Sequence, residues 1–257
     1  MAIKTNLTSM EPSRERLKRT IRLISGAYYA RDRFPDGAIT VFPWSTATDA
    51  WMMEQFQHNN RPTILWEVAE KLCDLKGLPV GSITVGDAYT ILLVARAVRS
   101  KNVLTYTSKC PGCSETATEH IAVPDGLEKV AEKALNYAGY DEITLPESRD
   151  VVRLRPLFVK DSVSIAERSP EQKAAIPDVL ASTLCCIVSV GGGAPESYSE
   201  LAEWHAALDP VDVDFIEREQ NRLTPRLNQT IPHQCNSCKT RFSHTLRFDQ
   251  EFFRPSV

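Results

Sequence analysis

The sequence predicts an α+β fold with a mainly helical body and short β elements. Apolar residues recur at helical spacing in several segments, most clearly over 88–99. Short alternating runs bounded by turn residues lie between these segments. Two CxxC pairs, Cys110–Cys113 and Cys235–Cys238, each sit between two strand-like runs, and residues 114–234 separate the pairs.

Composition places the chain among ordinary globular proteins. Of its 257 residues, 42% are hydrophobic and 25% are charged, and the net charge is −3. This balance gives no electrostatic case for binding nucleic acid or an anionic membrane. The longest nearly apolar run, 180–190, is far shorter than the roughly 20 residues of a membrane span, so none is expected. Residues 1–20 lack the apolar core of a signal peptide.

The N-terminal residues 1–33 are expected to form a basic arm or helix. Leu17, Ile21 and Ile24 are spaced by four and three residues, which is typical of a short amphipathic helix. Residues 34–257 are then expected to form a single α+β domain.

The first half of this domain is predicted in the following order. A strand at 38–44 precedes helices at 48–59 and 64–75, and Gly77 ends the second helix. Asp87 is a suitable N-cap for a helix over 88–99. Strand-like runs at 103–107 and 116–123 flank the first cysteine pair and predict a β-hairpin with the cysteines at its tip.

Residues 124–229 are interpreted as an inserted mixed segment. Helices are predicted at 127–137, 177–190, 199–207 and 209–223, and strands at 143–145 and 151–159, the latter interrupted by Pro156. Asp209-Pro210 is an N-cap followed by a proline that starts the last helix. Gly191–Gly193 is interpreted as a flexible joint.

The two CxxC pairs predict a metal site. Cys110, Cys113, Cys235 and Cys238 supply four thiolates, the full ligand set of a tetrahedral structural Zn²⁺ site. The turn residues Pro111-Gly112 and Asn236-Ser237 allow both sulfurs of a pair to converge. We therefore expect a discontinuous four-cysteine zinc ribbon made of two β-hairpins, at about 103–123 and 230–249. Iron remains open as the bound metal.

Other interpretations of the cysteines are weaker. A redox CxxC follows a strand and opens a helix, and neither pair opens a clear helix. Disulfides within each pair are a further alternative. His120, His233 and His244 lie near the pairs and are candidates to replace a cysteine, although surface or supporting roles are commoner for such residues. The odd total of seven cysteines suits a reducing cytosol, with Cys73 and Cys185-Cys186 as buried thiols.

Searches for catalytic motifs are negative. The sequence contains no HExxH, no His-x-Glu element, no GxGxxG, no P-loop and no GxSxG. Trp204-His205 beside Glu203 is interpreted as an ordinary helix surface. The chain is therefore expected not to be an enzyme and to have no small-molecule substrate.

The order of motifs resembles that of the baseplate hub assembly proteins of T-even-like contractile-tailed phages. The resemblance covers roughly residues 35–255. It rests on the run Ile83–Asp87, Ile91–Leu93, Arg96–Ser100, the first CxxC, a second CxxC near the C-terminus and Phe252-Phe253. Only the four cysteines are carried over as site residues.

The resemblance implies a non-enzymatic structural or assembly component of a phage tail baseplate, either a hub subunit or a hub-assembly factor. Its expected partners are other tail or baseplate proteins in a symmetric assembly, located in the virion or in the host cytoplasm during assembly. Exposed aromatic residues such as Trp44, Trp51 and Phe252-Phe253 would then anchor interfaces. The alternative is a zinc-ribbon nucleic-acid-binding or regulatory protein, favoured by Lys239, Arg241 and Arg247 but opposed by the net charge.

Overall fold

The architecture of the protein was taken from a computed structural model that describes residues 18–58, 64–99, 101, 103–123, 139–228 and 230–245. Eight α-helices and nine strands lie within these residues, so the fold is mixed α+β as predicted. The predicted helix at 127–137 and Phe252-Phe253 lie outside the described residues. No helix in the described part of the chain is long and apolar enough to cross a membrane.

A first hydrophobic core is formed by the N-terminal elements. Strand β1 (Arg19–Arg22) pairs antiparallel with β2 (Ala38–Val41). Helices α1 (Thr46–His58), α2 (Ile64–Leu72) and α3 (Val85–Arg99) follow in the chain. The most deeply buried part is α3, whose residues 91–95 are nearly all without solvent exposure. An apolar helix of this kind has to lie inside the protein.

Residues 19–22 form a strand, so the predicted amphipathic helix is wrong at these positions. Ile21 lies opposite Ile39 in the register, and both side chains are buried. Ile21 and Leu23 are buried while Arg22 between them is exposed, which is the two-residue period of a strand.

Trp44 is only 1% exposed and belongs to the first core, so it is not an exposed interface residue.

Helix α3 begins three residues earlier than predicted, at Val85. Thr84 Oγ1 accepts a hydrogen bond from the backbone N–H of Asp87, so Asp87 lies inside the first turn and is not the N-cap. The Asp87 carboxylate is fully buried and accepts hydrogen bonds from Ser25, Tyr29 and Thr84. Burial raises the pKa of Asp87, although these hydrogen bonds oppose the shift.

Two further hairpins lie against the first core. Strands β3 (Val103–Lys109) and β4 (Thr116–Ala122) pair antiparallel, with Leu104 opposite Ile121, and these two side chains join the first core. Strands β8 (Thr230–Gln234) and β9 (Arg241–Thr245) form the second hairpin. The imidazole of His244 stacks on the ring of Tyr106 at a centroid distance of 4.7 Å, which brings the hairpins together.

A second hydrophobic core lies within residues 141–223. Its three-stranded antiparallel sheet has the order β5 (Asp141–Thr144), β6 (Val151–Leu154) and β7 (Ile187–Val190). Helices α4 (Val159–Ala166), α5 (Pro170–Ala175), α6 (Asp178–Leu184), α7 (Tyr198–Ala206) and α8 (Pro210–Leu223) complete this part of the chain. Leu184, Leu201, Ile216 and Leu223 from three of these helices pack with the sheet.

Two predictions in this segment are wrong. The predicted helix at 177–190 is divided into α6 and the strand β7, because three of the four residues in Ile187–Val190 are β-branched and the run pairs with β6. The predicted strand at 151–159 ends at Leu154, before Pro156, and Val159 starts α4. Gly191–Gly193 forms a turn in which Gly191 N–H donates to the Val151 carbonyl. The last helix begins after Asp209, whose side chain caps it as predicted.

Candidate metal centre

The first CxxC pair occupies the turn that joins β3 to β4. The Cys110 N–H donates to the Glu115 carbonyl at 2.8 Å, and the Ser114 N–H donates to the Cys110 carbonyl at 2.9 Å. Ser114 takes up the left-handed conformation, with φ 61°. This residue reverses the chain and returns it to β4.

The second CxxC pair repeats this geometry between β8 and β9. The Cys235 N–H donates to the Thr240 carbonyl, and the Lys239 N–H donates to the Cys235 carbonyl, both at 3.0 Å. Lys239 has φ 61°, as Ser114 does in the first turn. Sequence reasoning missed both left-handed residues, because neither is the glycine or asparagine that usually marks this conformation.

The two turns bring all four predicted cysteines together. The Sγ atoms of Cys110 and Cys238 are 3.5 Å apart, and those of Cys113 and Cys235 are 3.6 Å apart. All four sulfurs lie within 4.8 Å of one another, and none is in a disulfide. Bonds of 2.3 Å at tetrahedral angles place sulfurs about 3.8 Å apart. The arrangement is therefore compatible with a bound metal ion such as Zn²⁺.

Each sulfur also has a backbone N–H donor two residues further along the chain. Gly112 N–H donates to Cys110 Sγ at 3.3 Å. The N–H groups of Glu115, Ser237 and Thr240 donate to the sulfurs of Cys113, Cys235 and Cys238, respectively. Such donors stabilise thiolate charge. The hydroxyl and the N–H of Thr240 lower the pKa of Cys238 to about 6.

Crowding of the sulfurs opposes the loss of further protons. The Glu115 N–H lowers the pKa of Cys113, but the neighbouring sulfurs of Cys238 and Cys235 outweigh it and raise that pKa to about 12. Four converging thiols therefore do not all ionise by themselves. A divalent cation at their centre supplies the missing positive charge, which is the usual coupling of metal binding to proton release.

Burial differs between the members of each pair. Cys110 and Cys235 are 3% and 4% exposed, whereas Cys113 and Cys238 face solvent. A cavity of about 30 Å³ lies behind the buried cysteines, bordered also by Ser108, His233 and Phe242. The Ser108 hydroxyl is buried and has no hydrogen-bond partner among the described residues.

The residue two positions after each pair reaches the opposite turn. Glu115 bonds to Ser237 and lies 3.4 Å from Cys235 Sγ. Thr240 lies against Gly112, where an added Cβ would come within 2.7 Å of the Thr240 hydroxyl. The two turns therefore contact each other through the equivalent residues Glu115 and Thr240. The sequence analysis did not single out Glu115 and Thr240, although each follows the last cysteine of its pair by two residues, and this shared spacing could have identified them.

The three neighbouring histidines have partners outside the cysteine cluster. His233 Nδ1 is 3.3 Å from a Glu119 carboxylate oxygen, His120 contacts the Thr105 hydroxyl, and His244 stacks on Tyr106. The metal-ligand cluster found in the described residues contains the four cysteines alone. The histidines are thus part of the packing between and along the hairpins.

The other residues noted in the sequence lie away from this cluster. Cys186 is buried and Cys185 is half-buried, with its sulfur 3.1 Å from the Tyr198 hydroxyl. Trp204 donates from its indole nitrogen to Asp150, and burial lowers the pKa of the neighbouring His205. Trp204 packs against the second core, and His205 beside it is buried.

Comparisons with protein-family models, with curated proteins and with solved structures found no match to this chain. The interpretation of the centre therefore rests on its own geometry. Four thiolates fill a tetrahedral shell and leave no ligand position for water, whereas catalytic zinc keeps one position open. Such a centre can hold two distant segments of the chain together.

Proposed function

We propose that the chain is a non-enzymatic structural or assembly component of a contractile phage tail baseplate, stapled by structural Zn²⁺. Cys110, Cys113, Cys235 and Cys238 are the ligands, and the hairpins β3–β4 and β8–β9 form a discontinuous zinc ribbon around the ion. The observation that carries the metal half of this proposal is the convergence of the four sulfurs within 4.8 Å. Zinc is the metal that most often occupies such a four-cysteine structural site.

The staple joins segments that are distant in sequence. The ion closes a loop over residues 114–234, which contains the whole second core. Closing a long loop is costly for the chain alone, so a bond between its ends stabilises the closed state. A rigid scaffold with a closed metal shell suits a component of a large assembly better than it suits an enzyme.

The baseplate half of the proposal is supported by the order of motifs in the sequence. Two stretches that carry the resemblance, Ile83–Asp87 and Ile91–Leu93, lie at the start of α3 and in the first core. Their residue types are those that the buried helix requires. The expected partners are other tail or baseplate proteins in a symmetric assembly, in the virion or in the host cytoplasm during assembly.

Purification from infected host cells tests the functional proposal. A tagged chain, expressed during infection by a contractile-tailed phage that encodes it, should co-purify with identified tail or baseplate proteins in fixed ratio. A chain that remains a monomer without tail proteins contradicts the proposal. Salt-dependent binding of the same preparation to DNA would favour the nucleic-acid-binding alternative instead.

A further inference from the structure

We propose that the Glu115 carboxylate weakens metal binding at the four-cysteine centre and so keeps the bound ion exchangeable. The inference rests on the metal half of the proposed function, that these cysteines bind a divalent ion, and not on the baseplate half. It assigns to Glu115 the role of a residue that sets the affinity without being a ligand.

Glu115 is held over the opposite hairpin turn. It follows Cys113 by two residues, bonds to Ser237 and places Oε2 3.4 Å from the Sγ of Cys235. Although the residue is solvent-exposed, these contacts direct its carboxylate toward the cluster. The carboxylate is therefore close to a metal ligand that belongs to the other half of the site.

Metal binding turns this contact into a repulsion. When a divalent ion binds, the thiols that are still protonated release their protons to solvent, and the sulfur electron pairs form the metal bonds. The loaded centre carries two negative charges, because four thiolates surround a doubly charged ion. A thiolate and a carboxylate are both only acceptors, so no proton remains between Cys235 and Glu115. The carboxylate then raises the free energy of the loaded centre.

In the second hairpin turn, an uncharged residue occupies the position that Glu115 has in the first. Thr240 occupies the position equivalent to Glu115, and its hydroxyl lies 3.2 Å from Cys238 Sγ. A hydroxyl is neutral and donates a hydrogen bond to a thiolate, so Thr240 supports the loaded state. The two turns thus share the same backbone hydrogen bonds, but their equivalent side chains act oppositely on the thiolates. Glu115 repels the charge of Cys235, and Thr240 stabilises the charge of Cys238.

The zinc affinity of two variants tests the inference. Competition with a chromogenic chelator gives the Kd, and transfer of zinc to excess chelator gives the dissociation rate. Glu115→Thr copies the second turn, and Glu115→Gln keeps the side-chain shape without the charge. Both should bind zinc about three- to tenfold more tightly than the wild type, with slower release and a smaller difference at high salt. Glu203→Gln, an exposed change on α7, should leave both quantities unchanged.

Equal or weaker zinc binding by Glu115→Gln overturns the inference. That variant alone decides the question if Glu115→Thr does not fold, because it preserves the side-chain volume and the contact with Ser237. A wild type that binds no zinc would instead contradict the metal half of the proposed function. Tight zinc binding by the wild type with an unchanged Glu115→Gln variant contradicts only the role of Glu115.

Discussion

At the scale of single residues, Cys110 and Cys235 are the buried ligands of the proposed staple. Replacing Cys110 by Ser should remove one metal ligand and lower the free energy of unfolding by about 3 kcal/mol or more. For a chain of this size that corresponds to a fall in Tm of roughly 6–12 °C, measured by calorimetry in zinc-containing buffer. Cys185→Ser, outside the cluster, is the control and should change Tm little. Equal melting of the Cys110 variant and the wild type would refute the role of Cys110.

We expect Asp212 to make the second core sensitive to acid. Its buried carboxylate accepts hydrogen bonds from the N–H groups of Glu147 and Ser148, both at 2.9 Å. Burial acts to raise the pKa of Asp212, but the hydrogen bonds together outweigh it and the net pKa is lowered. A folded-state pKa below the unfolded value stabilises the fold above the unfolded pKa, and this contribution is lost as the pH falls through the folded pKa.

The pH dependence of unfolding tests this role of Asp212. Asp212→Asn should be less stable than the wild type at neutral pH, and the difference should shrink as the pH falls below about 4. Urea unfolding between pH 7 and 2.5 measures both curves. Asp214→Asn, an exposed change on the same helix, should follow the wild type. A gap between Asp212→Asn and wild type that stays constant with pH would contradict the account.

At the scale of elements, the start of α3 packs so closely that it requires a glycine. A Cβ on Gly86 would lie 1.6 Å from the Pro225 carbonyl oxygen, and that neighbour is backbone, so it cannot rotate away. Gly86→Ala should therefore lower the free energy of unfolding by about 2–3 kcal/mol, measured by urea denaturation. Gly193→Ala is the control, because its nearest atom would be 3.8 Å away. Equal stability of the two variants would show that α3 can shift away from Pro225.

The sequence predicted the elements whose signals are local. Helix α8 was recognisable from Asp209-Pro210 and a regular apolar spacing, and the two hairpins were recognisable from turn residues between alternating strands. The four cysteines followed from spacing and ligand chemistry. These features depend on neighbouring residues alone, so no tertiary information was needed to find them.

The features that the sequence did not predict depend on distant partners. Strand β1 was mistaken for a helix because Ile21 fits either period, and only its pairing with β2 decides between them. The run from Asp178 to Val190 is mostly apolar, and its division into α6 and β7 depends on the free edge of β6. The contact between Glu115 and Cys235 joins two hairpin turns that are far apart in sequence.

At the scale of the whole molecule, the two hydrophobic cores depend differently on the proposed ion. Leu104, Ile121 and Leu227, from or beside the cysteine-bearing hairpins, pack in the first core. Among the described residues, those of the second core all lie within 143–223. Removal of the metal should therefore loosen the hairpins and the first core before the second.

Hydrogen exchange measures this difference directly. After chelation, amides of β3, β4, β8 and β9 should exchange at least about tenfold faster, while amides of β6 and α8 keep most of their protection. The Cys110→Ser variant without chelator should show the same pattern. Uniform loss of protection across the chain would mean that the metal holds both cores in one cooperative unit.

The most direct test of the zinc staple is native mass spectrometry of the purified chain, combined with counting of reactive thiols. The account predicts one zinc ion per chain, with only Cys73, Cys185 and Cys186 available for alkylation after mild unfolding that retains the metal. A chain without metal whose Cys110, Cys113, Cys235 and Cys238 are all alkylated, or are joined in disulfides, would contradict it.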